Sequence, residues 1–248
     1  MFIDLDALPG PDRYKLLTAA IVPRPIAWIV SRDARGATNV APFSFFNLMS
    51  GDPALICVGI GVRGDVPKDT ARNLAERGEF TVNLVSARLA ARMNVTAVDF
   101  PPGVDESLEA GLVLAPSERI AVPRVAQSPA AFECRVRELI RIDRRSLVVA
   151  EVAAMHVQDE MVADRDHLYL DGPRMDLLAR LHNPGWYCRP QAAFQMPQLT
   201  LAQWEAMKLS GQAQAYRTGR RARNRPASRQ RAGRAFRSAI SSCINWWA

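Results

Sequence analysis

Residues 26–46 read IAWIVSRDARGATNVAPFSFF, and this stretch predicts two strands joined by a hairpin turn. Residues 26–31 are mostly β-branched or aromatic, which favours a strand, and residues 32–36 end in glycine, which is typical of a tight turn. A second extended segment covers residues 38–46 and is interrupted by Pro42. Because proline cannot donate a ladder hydrogen bond, Pro42 predicts a bulge or a sheet edge, where the backbone can meet a ligand.

The rest of the chain carries further strand patterns and a few helical ones. Residues 131–136 alternate between apolar and charged side chains, which predicts a core-facing row and a solvent-facing row. The core-facing row is Phe132, Cys134 and Val136, and the solvent-facing row is Glu133, Arg135 and Arg137. Other predicted strands cover residues 54–60, 79–86, 146–156 and 167–170, and predicted helices cover residues 11–20, 68–78, 88–98 and 199–209.

The order of these elements predicts the fold class. The strands come in hairpin-like pairs, whereas a doubly wound parallel sheet requires a steady alternation of strands and helices. The sequence therefore predicts a mainly β fold, a largely antiparallel β-barrel with peripheral helices.

The positive charge of the protein is confined to its C-terminal end. The chain has 248 residues and a formal net charge of +7, yet residues 211–248 contain nine Arg and no Lys, Asp or Glu. Residues 1–210 hold 23 basic and 25 acidic side chains, so they are nearly neutral. We expect a domain over residues 1–205 and a flexible Arg-rich tail over residues 206–248, and we do not expect nucleic-acid binding despite the basic tail.

Cysteine and histidine usage argues against several function classes. Cys57, Cys134, Cys188 and Cys243 are scattered without a CxxC pair, and the three histidines have no metal-ligand spacing. These features argue against a disulfide scaffold and against a metal site, and they suit a reducing, cytoplasmic setting. The longest apolar runs are far too short to span a bilayer, so we expect no membrane segment.

A glycine motif at residues 59–64, GIGVRG, matches the GxGxxG pattern of dinucleotide-binding folds. That mechanism requires the glycine turn to open directly into a helix, with an acidic residue at the end of the next strand. Here residues 65–67 intervene before the predicted helix, and the next acidic residue, Glu79, begins the following strand. We therefore interpret the glycines as relieving crowding where a strand leaves a barrel.

The start of the predicted helix at residues 68–73, KDTARN, has the chemistry of a phosphate site. A helix N-terminus has free N–H groups and a partial positive charge, and Lys68 adds a full cation. Thr70 adds a hydroxyl and can cap the helix. The alternative is an ordinary capped surface helix with a solvated lysine.

Five segments occur together in an order that is typical of one family. They are residues 14–17 (YKLL), 23–29 (PRPIAWI), 36–46 (GATNVAPFSFF), 68–73 (KDTARN) and 79–83 (EFTVN). Together they resemble the flavin reductase-like family, which includes flavoredoxin and has the FMN-binding split-barrel fold of antiparallel Greek-key type. The resemblance covers residues 2–204 and leaves the tail outside.

The resemblance implies a homodimer in which each FMN lies near the subunit interface. Residues 39–46 resemble the strand and turn whose backbone meets the isoalloxazine edge, and Lys68 and its neighbours match the phosphate and ribityl region. The cofactor-binding residues that it implies are Asn39, Ala41, Pro42, Ser44, Phe45, Cys57, Gly59, Lys68, Asp69, Thr70, Asn73, Arg180 and Tyr187. For Ser44, Asp69 and Asn73 the alternatives are a turn cap, a helix cap and a surface position.

The function that the resemblance implies is an NAD(P)H-dependent flavin reductase, which moves hydride from the nicotinamide to flavin N5. Because the flavin performs the chemistry, no catalytic side chain and no metal are expected. The reduced flavin would serve a partner monooxygenase or another electron acceptor. The alternatives are an FMN-binding electron carrier or flavin-storage protein without a nicotinamide site, an oxidase of the pyridoxamine-phosphate type, and a nucleic-acid binder that relies on the tail.

Overall fold

Sixteen strands and six helices make up the part of the chain that the computed structural model describes, which is residues 1–101, 103–189, 196 and 198–217. The chain divides into two units, Met1–Pro190 and Gln191–Ala248. The strands are β1 (Arg24–Pro25), β2 (Ala27–Arg32), β3 (Thr38–Phe43), β4 (Phe46–Gly51), β5 (Ala54–Ile60), β6 (Val62–Arg63), β7 (Val66–Pro67), β8 (Glu79–Asn83), β9 (Leu114–Ala115), β10 (Arg124–Val125), β11 (Ala130–Ile142), β12 (Arg145–Val157), β13 (Val162–Asp164), β14 (Tyr169–Leu170), β15 (Ala179–Arg180) and β16 (Tyr187–Cys188). The helices are α1 (Gly10–Ala20), α2 (Asp69–Arg77), α3 (Ala90–Val95), α4 (Glu106–Glu109), α5 (Leu201–Leu209) and α6 (Ala213–Arg217).

The main sheet of the first unit has seven strands in the order β3-β2-β8-β11-β12-β5-β4. Every pair in it is antiparallel, and among the described residues no ladder joins the outer strands β3 and β4. The mainly β prediction with peripheral helices is confirmed. Pro42 pairs with Trp28 on the edge strand β3, which confirms the prediction of a sheet edge.

The predicted second extended segment, residues 38–46, is divided in the structure. It forms β3 and then bends at Ser44 and Phe45 into β4, which crosses to the opposite edge of the sheet. The predicted helix over residues 88–98 is likewise shorter, because a 3-10 turn at Ala87–Leu89 precedes α3. This division leaves β3, and not the turn after it, beside the start of α2, where the candidate site lies.

Apolar side chains fill both faces of the main sheet. One cluster packs on one face and includes Ile29, Phe43, Val58, Phe80, Cys134 and Val148. A second cluster packs on the other face and includes Trp28, Val30, Val40, Val85, Met93 and Val125. Because α3 and the segment that precedes β11 cover this second face, the central strands are buried on both sides.

The prediction that Glu133 faces solvent is wrong. Glu133 does lie on the opposite face of β11 from Phe132 and Cys134, but its side chain is fully buried because residues 118–119 pack over that face. Its Oε1 accepts the Glu118 N–H at 2.8 Å, and its Oε2 accepts the Arg119 N–H at 2.7 Å. The alternation therefore predicted correctly that Glu133 lies on the opposite face of β11 from Phe132 and Cys134. It did not reveal that residues 118–119 cover that face.

Helix α2 packs on β2 and β3 through a short buried face. Thr70, Ala71, Asn73 and Leu74 are buried, and the exposed face is charged. The prediction that Thr70 caps the helix is wrong, because Lys68 occupies the N-cap position and makes no side-chain capping bond. At the other end, Gly78 adopts a left-handed conformation with φ of 68° and its N–H donates to the Leu74 carbonyl, as predicted for a helix stop.

Replacing Gly78 by alanine should lower the free energy of unfolding by about 1 kcal/mol, because a Cβ is strained at positive φ. No atom lies within 4 Å of the position that the new Cβ would occupy, so the loss comes from the backbone alone. Urea unfolding measures it. Gly51→Ala is the matched control, because that glycine also has open space around it but no positive φ; equal losses in both variants would contradict the argument.

The described part of the second unit consists of α5 and α6. Thr200 and Gln203 form a capping box at the start of α5, and Trp204 and Tyr216 pack with their ring centroids 6.4 Å apart. The predicted flexible tail lies outside the described residues from position 218 onward. No helix within the described ranges is both long and apolar enough to cross a bilayer.

Candidate functional site

A cavity lies between the edge strand β3 and the N-terminus of α2. It brings together six of the predicted residues, Asn39, Ala41, Pro42, Lys68, Asp69 and Thr70. Six further residues that line it were not predicted, and these are Arg63, Thr96, Ala97, Val98, Asp99 and Glu106. The cavity has a volume of about 70 Å³. This is well below the roughly 300 Å³ at which pockets for whole cofactors begin, so it can enclose only one end of a larger ligand.

Hydrogen bonds between side chains join β3 to α2 at the cavity wall. The Asn39 Nδ2 donates to the Thr70 Oγ1 at 2.9 Å, and Thr70 is almost fully buried. One turn further along α2, the Asn73 Nδ2 donates to the Ser31 Oγ at 3.1 Å on β2. Asn73 therefore lies behind the cavity wall, where it fixes the helix against the sheet.

The start of α2 has the properties of an anion site. Its first N–H groups have no side-chain cap, so they are free to bind an external acceptor. Lys68 forms no ion pair within the described ranges, and its Nζ lies 5.6 Å from the centre of the Phe43 ring. Asp69, in contrast, is paired with Arg72. An unpaired cation beside uncapped N–H groups fits the phosphate of a nucleotide such as FMN.

Glu106 is the main polar residue of the cavity that the sequence did not reveal. Its Oε2 accepts the Val40 N–H at 3.0 Å, which ties α4 to the edge strand. Burial raises the pKa of this carboxyl, and the hydrogen bond from Val40 offsets only part of the effect. Glu106 lies 66 residues from Val40 in the sequence, so no local pattern signals the contact.

Replacing Glu106 by glutamine should remove a pH-dependent loss of stability. Because folding raises this pKa above the ordinary value of 4.5, the folded protein binds more protons than the unfolded chain just above that pH. The stabilisation from this carboxyl is therefore lost as the pH rises through its raised pKa. The free energy of unfolding of the variant should increase relative to that of the wild type from pH 4 toward neutrality. Urea unfolding across this range tests it, with the exposed Glu109→Gln as control; identical pH profiles for both variants would contradict it.

The remaining predicted residues of the β3–β5 region lie outside the cavity. The Gly59 N–H donates to the Phe45 carbonyl at 2.7 Å, and a Cβ on Gly59 would lie only 3.1 Å from the Phe45 Cβ. A side chain at position 59 would therefore require the turn to move away from β5 by a few tenths of an ångström. Ser44 lies in that turn, and Cys57 is half-buried on β5 opposite Asn47.

The late segment places Arg180 and Tyr187 next to each other on β15 and β16. The Arg180 Nη1 donates to the Tyr187 hydroxyl at 2.5 Å, and the guanidinium lies 4.6 Å from the centre of the tyrosine ring. In the antiparallel ladder between β1 and β15, Arg180 lies opposite Arg24. These two predicted residues contact each other and do not line the cavity beside α2.

The fold and the site together define a mainly β protein in which an uncapped helix start and a lysine unpaired among the described residues lie at a sheet edge. Residues 19–177 match the family described as the flavin reductase like domain. The chain belongs to this family. An uncharacterised protein of Deinococcus radiodurans is 45% identical over 208 residues, which cover 82% of this chain and 91% of that protein.

Solved structures of the same kind are similar over most of the chain. The 2-nitrobenzoate 2-nitroreductase of Pseudomonas fluorescens is 34% identical, with a TM-score of 0.74 over 81% of this chain and 98% of its own. Component B of the nitrilotriacetate monooxygenase of Bacillus cereus is 30% identical, with a TM-score of 0.74 over 79% and 98%. A split-barrel domain of Shewanella frigidimarina, 19% identical over 78% and 96% with a TM-score of 0.68, is similar in fold.

Proposed function

We propose that the protein is an FMN-binding oxidoreductase that acts as an NAD(P)H-dependent flavin reductase. The observation that carries the proposal is the uncapped start of α2, where Lys68 has no acidic partner among the described residues. An arrangement of this kind binds a phosphate group, and the family to which the chain belongs uses flavin.

Each part of the cavity has a role in this proposal. The N–H groups at the start of α2 and the Lys68 ammonium hold the phosphate, and the linked pair Asn39 and Thr70 faces the ribityl chain. The backbone of Ala41 and Pro42 and the turn at Ser44 and Phe45 would hold the edge of the ring system. FMN held by these residues would supply the redox chemistry, so the protein would need only to bind and orient it.

The small volume of the cavity supports a homodimer, because the ring system of FMN extends beyond it. Leu48 and Met49 on β4 are 66% and 59% exposed. Leu17 on α1 and Ile21, the residue that follows α1, are also exposed. Tyr14 of α1 lies with its ring centre 6.1 Å from that of Phe45, so α1 and the turn before β4 present one apolar surface. We infer that a second copy of the chain covers this surface and encloses the flavin ring.

Sedimentation measurements test the dimer. The wild type should sediment as a dimer at micromolar concentration, and Met49→Glu should sediment as a monomer because a charge is buried at the interface. Leu108→Glu is the matched control, since Leu108 is 76% exposed on α4 and lies outside the proposed surface. A monomeric wild type would overturn the proposal.

Two measurements on the purified protein test the activity. The visible spectrum should show FMN in near-stoichiometric amount after addition of FMN and gel filtration, and NADH or NADPH oxidation should follow in the presence of free FMN. Retained flavin without turnover would identify an electron carrier or flavin-storage protein. If the protein neither retains flavin nor oxidises NADH or NADPH, both the reductase and the flavin-carrier hypotheses are overturned.

The similarity to component B of a monooxygenase supports a partner monooxygenase as the consumer of reduced flavin. Coupled turnover tests this step, because such a partner should hydroxylate its substrate only when this protein and NAD(P)H are present. If this protein instead reduces a metal chelate or a quinone directly, with no transfer of free flavin, the proposed partner monooxygenase is contradicted.

A further inference from the structure

A second and larger cavity lies apart from the first, where the start of β11 and the end of β12 meet the segment around β10. It has a volume of about 290 Å³ and is lined by Arg124, Ser128, Ala131, His156 and Val157, with Gln158 and Asp159 at one end. No residue of this cavity lines the site beside α2. Its polar lining has no role in the proposed reductase activity.

One wall of the second cavity is a histidine held by a buried carboxylate. The His156 Nε2 lies 2.5 Å from the Glu133 Oε1, and Glu133 also accepts the two N–H groups of residues 118 and 119. Burial raises the pKa of Glu133, but these hydrogen bonds outweigh it and hold the pKa below its ordinary value. The carboxylate is therefore ionised and only accepts, so Nε2 carries the proton and the ring is fixed in orientation.

Two other lining groups lack partners. The Ser128 side chain is 5% exposed, and its Oγ makes no hydrogen bond within the described residues. The Arg124 Nε is also buried without a partner, and this guanidinium forms no ion pair in the described ranges. A buried hydroxyl and a buried arginine nitrogen are costly to leave unsatisfied, so an acceptor is the group that this wall requires.

The charges around the cavity favour an anion. Asp159, the acidic group of the lining, is 85% exposed at its side chain and is neutralised by Arg165 at 2.8 Å. Gln158 is committed to the carbonyls of Ala126 and Gln127 at 3.4 Å and 3.3 Å. The Glu133 carboxylate behind His156 is already held by the His156 ring and two N–H groups. Among the side chains that line the cavity, Arg124 is thus the charged group without an ion-pair partner in the described ranges. A nucleophilic role for Ser128 is not supported, because its Oγ has no bond to His156.

We propose that this cavity binds a small organic carboxylate. The Arg124 guanidinium and the Ser128 hydroxyl donate to the carboxylate, and the fixed His156 ring forms the wall beside it. The volume is larger than an oxyanion alone requires, and Ala131 and Val157 provide an apolar surface for the hydrocarbon part. This size and lining favour an organic acid over inorganic phosphate.

Calorimetric titration of the full-length protein with benzoate and inorganic phosphate tests the site. Benzoate should bind, phosphate should bind at least tenfold more weakly, and Arg124→Gln should weaken benzoate by about tenfold or more, as expected for loss of a charged hydrogen bond. Arg137→Gln is the matched control, because Arg137 is exposed on β11 and paired with Glu151. It should bind benzoate as the wild type does.

Two further variants separate this site from the flavin site and from misfolding. Lys68→Met should leave benzoate binding unchanged, so the result does not depend on the proposed reductase. Ser128→Ala removes only the unpartnered hydroxyl, so it should weaken benzoate without lowering thermal stability. Benzoate binding that Arg124→Gln and Ser128→Ala leave intact, or phosphate binding as tight as benzoate binding, would overturn the proposal.

Discussion

Replacing Lys68 by methionine is expected to weaken FMN binding by about 10- to 100-fold, because a hydrogen bond to a charged group contributes about 1.5–3 kcal/mol. Lys68 stands at the N-cap of α2 without an acidic partner among the described residues, so its charge is available to a phosphate. Methionine keeps the length of the side chain and can still pack on the Phe43 ring. Titration of FMN fluorescence against protein measures the change.

The control for this prediction is Lys15→Met. Lys15 is exposed on α1 and forms an ion pair with Asp12 at 2.8 Å. The substitution therefore removes one positive charge from the protein without changing the site. Its affinity for FMN should equal that of the wild type, and Lys68→Arg should recover part of the loss. If Lys68→Met binds FMN as tightly as Lys15→Met does, the phosphate does not lie at the start of α2.

Replacing Glu133 by alanine should lower the free energy of unfolding by about 3–5 kcal/mol. The substitution leaves the N–H groups of residues 118 and 119 and the His156 ring without the acceptor that the buried carboxylate supplies. Urea unfolding at neutral pH measures the loss. Glu138→Ala is the matched control, because Glu138 lies on the same strand and is exposed, and its effect should be small; a similar small effect at Glu133 would contradict the argument.

The same carboxylate predicts the acid side of the stability profile. Folding lowers the pKa of Glu133 below its ordinary value of 4.5, so its stabilisation is present above that pH and is lost as the pH falls through the folded pKa. Glu133→Gln keeps the shape but not the charge. The variant should therefore be less stable than the wild type at neutral pH, and the difference should shrink on acidification; a difference that stays constant would contradict this origin.

Part of the candidate site could be predicted from the chemistry of residues that are neighbours in the sequence. Pro42 predicted a sheet edge because it lacks an N–H, and the segment after residue 68 predicted a helix start with a cation. Both features depend on residues that are close in the chain. The structure then brings Asn39 to Thr70. The family resemblance assigned both residues to one site, but nothing in the sequence predicted the hydrogen bond between them.

The rest of the site depends on contacts between segments far apart in the chain. Glu106 reaches Val40 from a loop-rich region with no recurring pattern, and Glu133 is buried by a segment that has little regular structure. Alternation along β11 gave the face on which Glu133 lies, whereas burial is decided by what packs on that face. A buried acidic residue in a strand is an expected point of failure for pattern-based prediction, because its partners are backbone groups of another segment.

The edge strand β3 also limits how copies of this protein can associate through their backbones. Val40 has given its outward N–H to Glu106, and Pro42, on the same side of the strand, has none. A foreign extended segment would find no consecutive donors there, so strand exchange and fibril-like stacking are disfavoured at this edge by chemistry alone. Within the main sheet, backbone-mediated aggregation would have to begin at the other outer strand, β4. The protein can therefore remain dispersed at high concentration only if the β4 edge is covered.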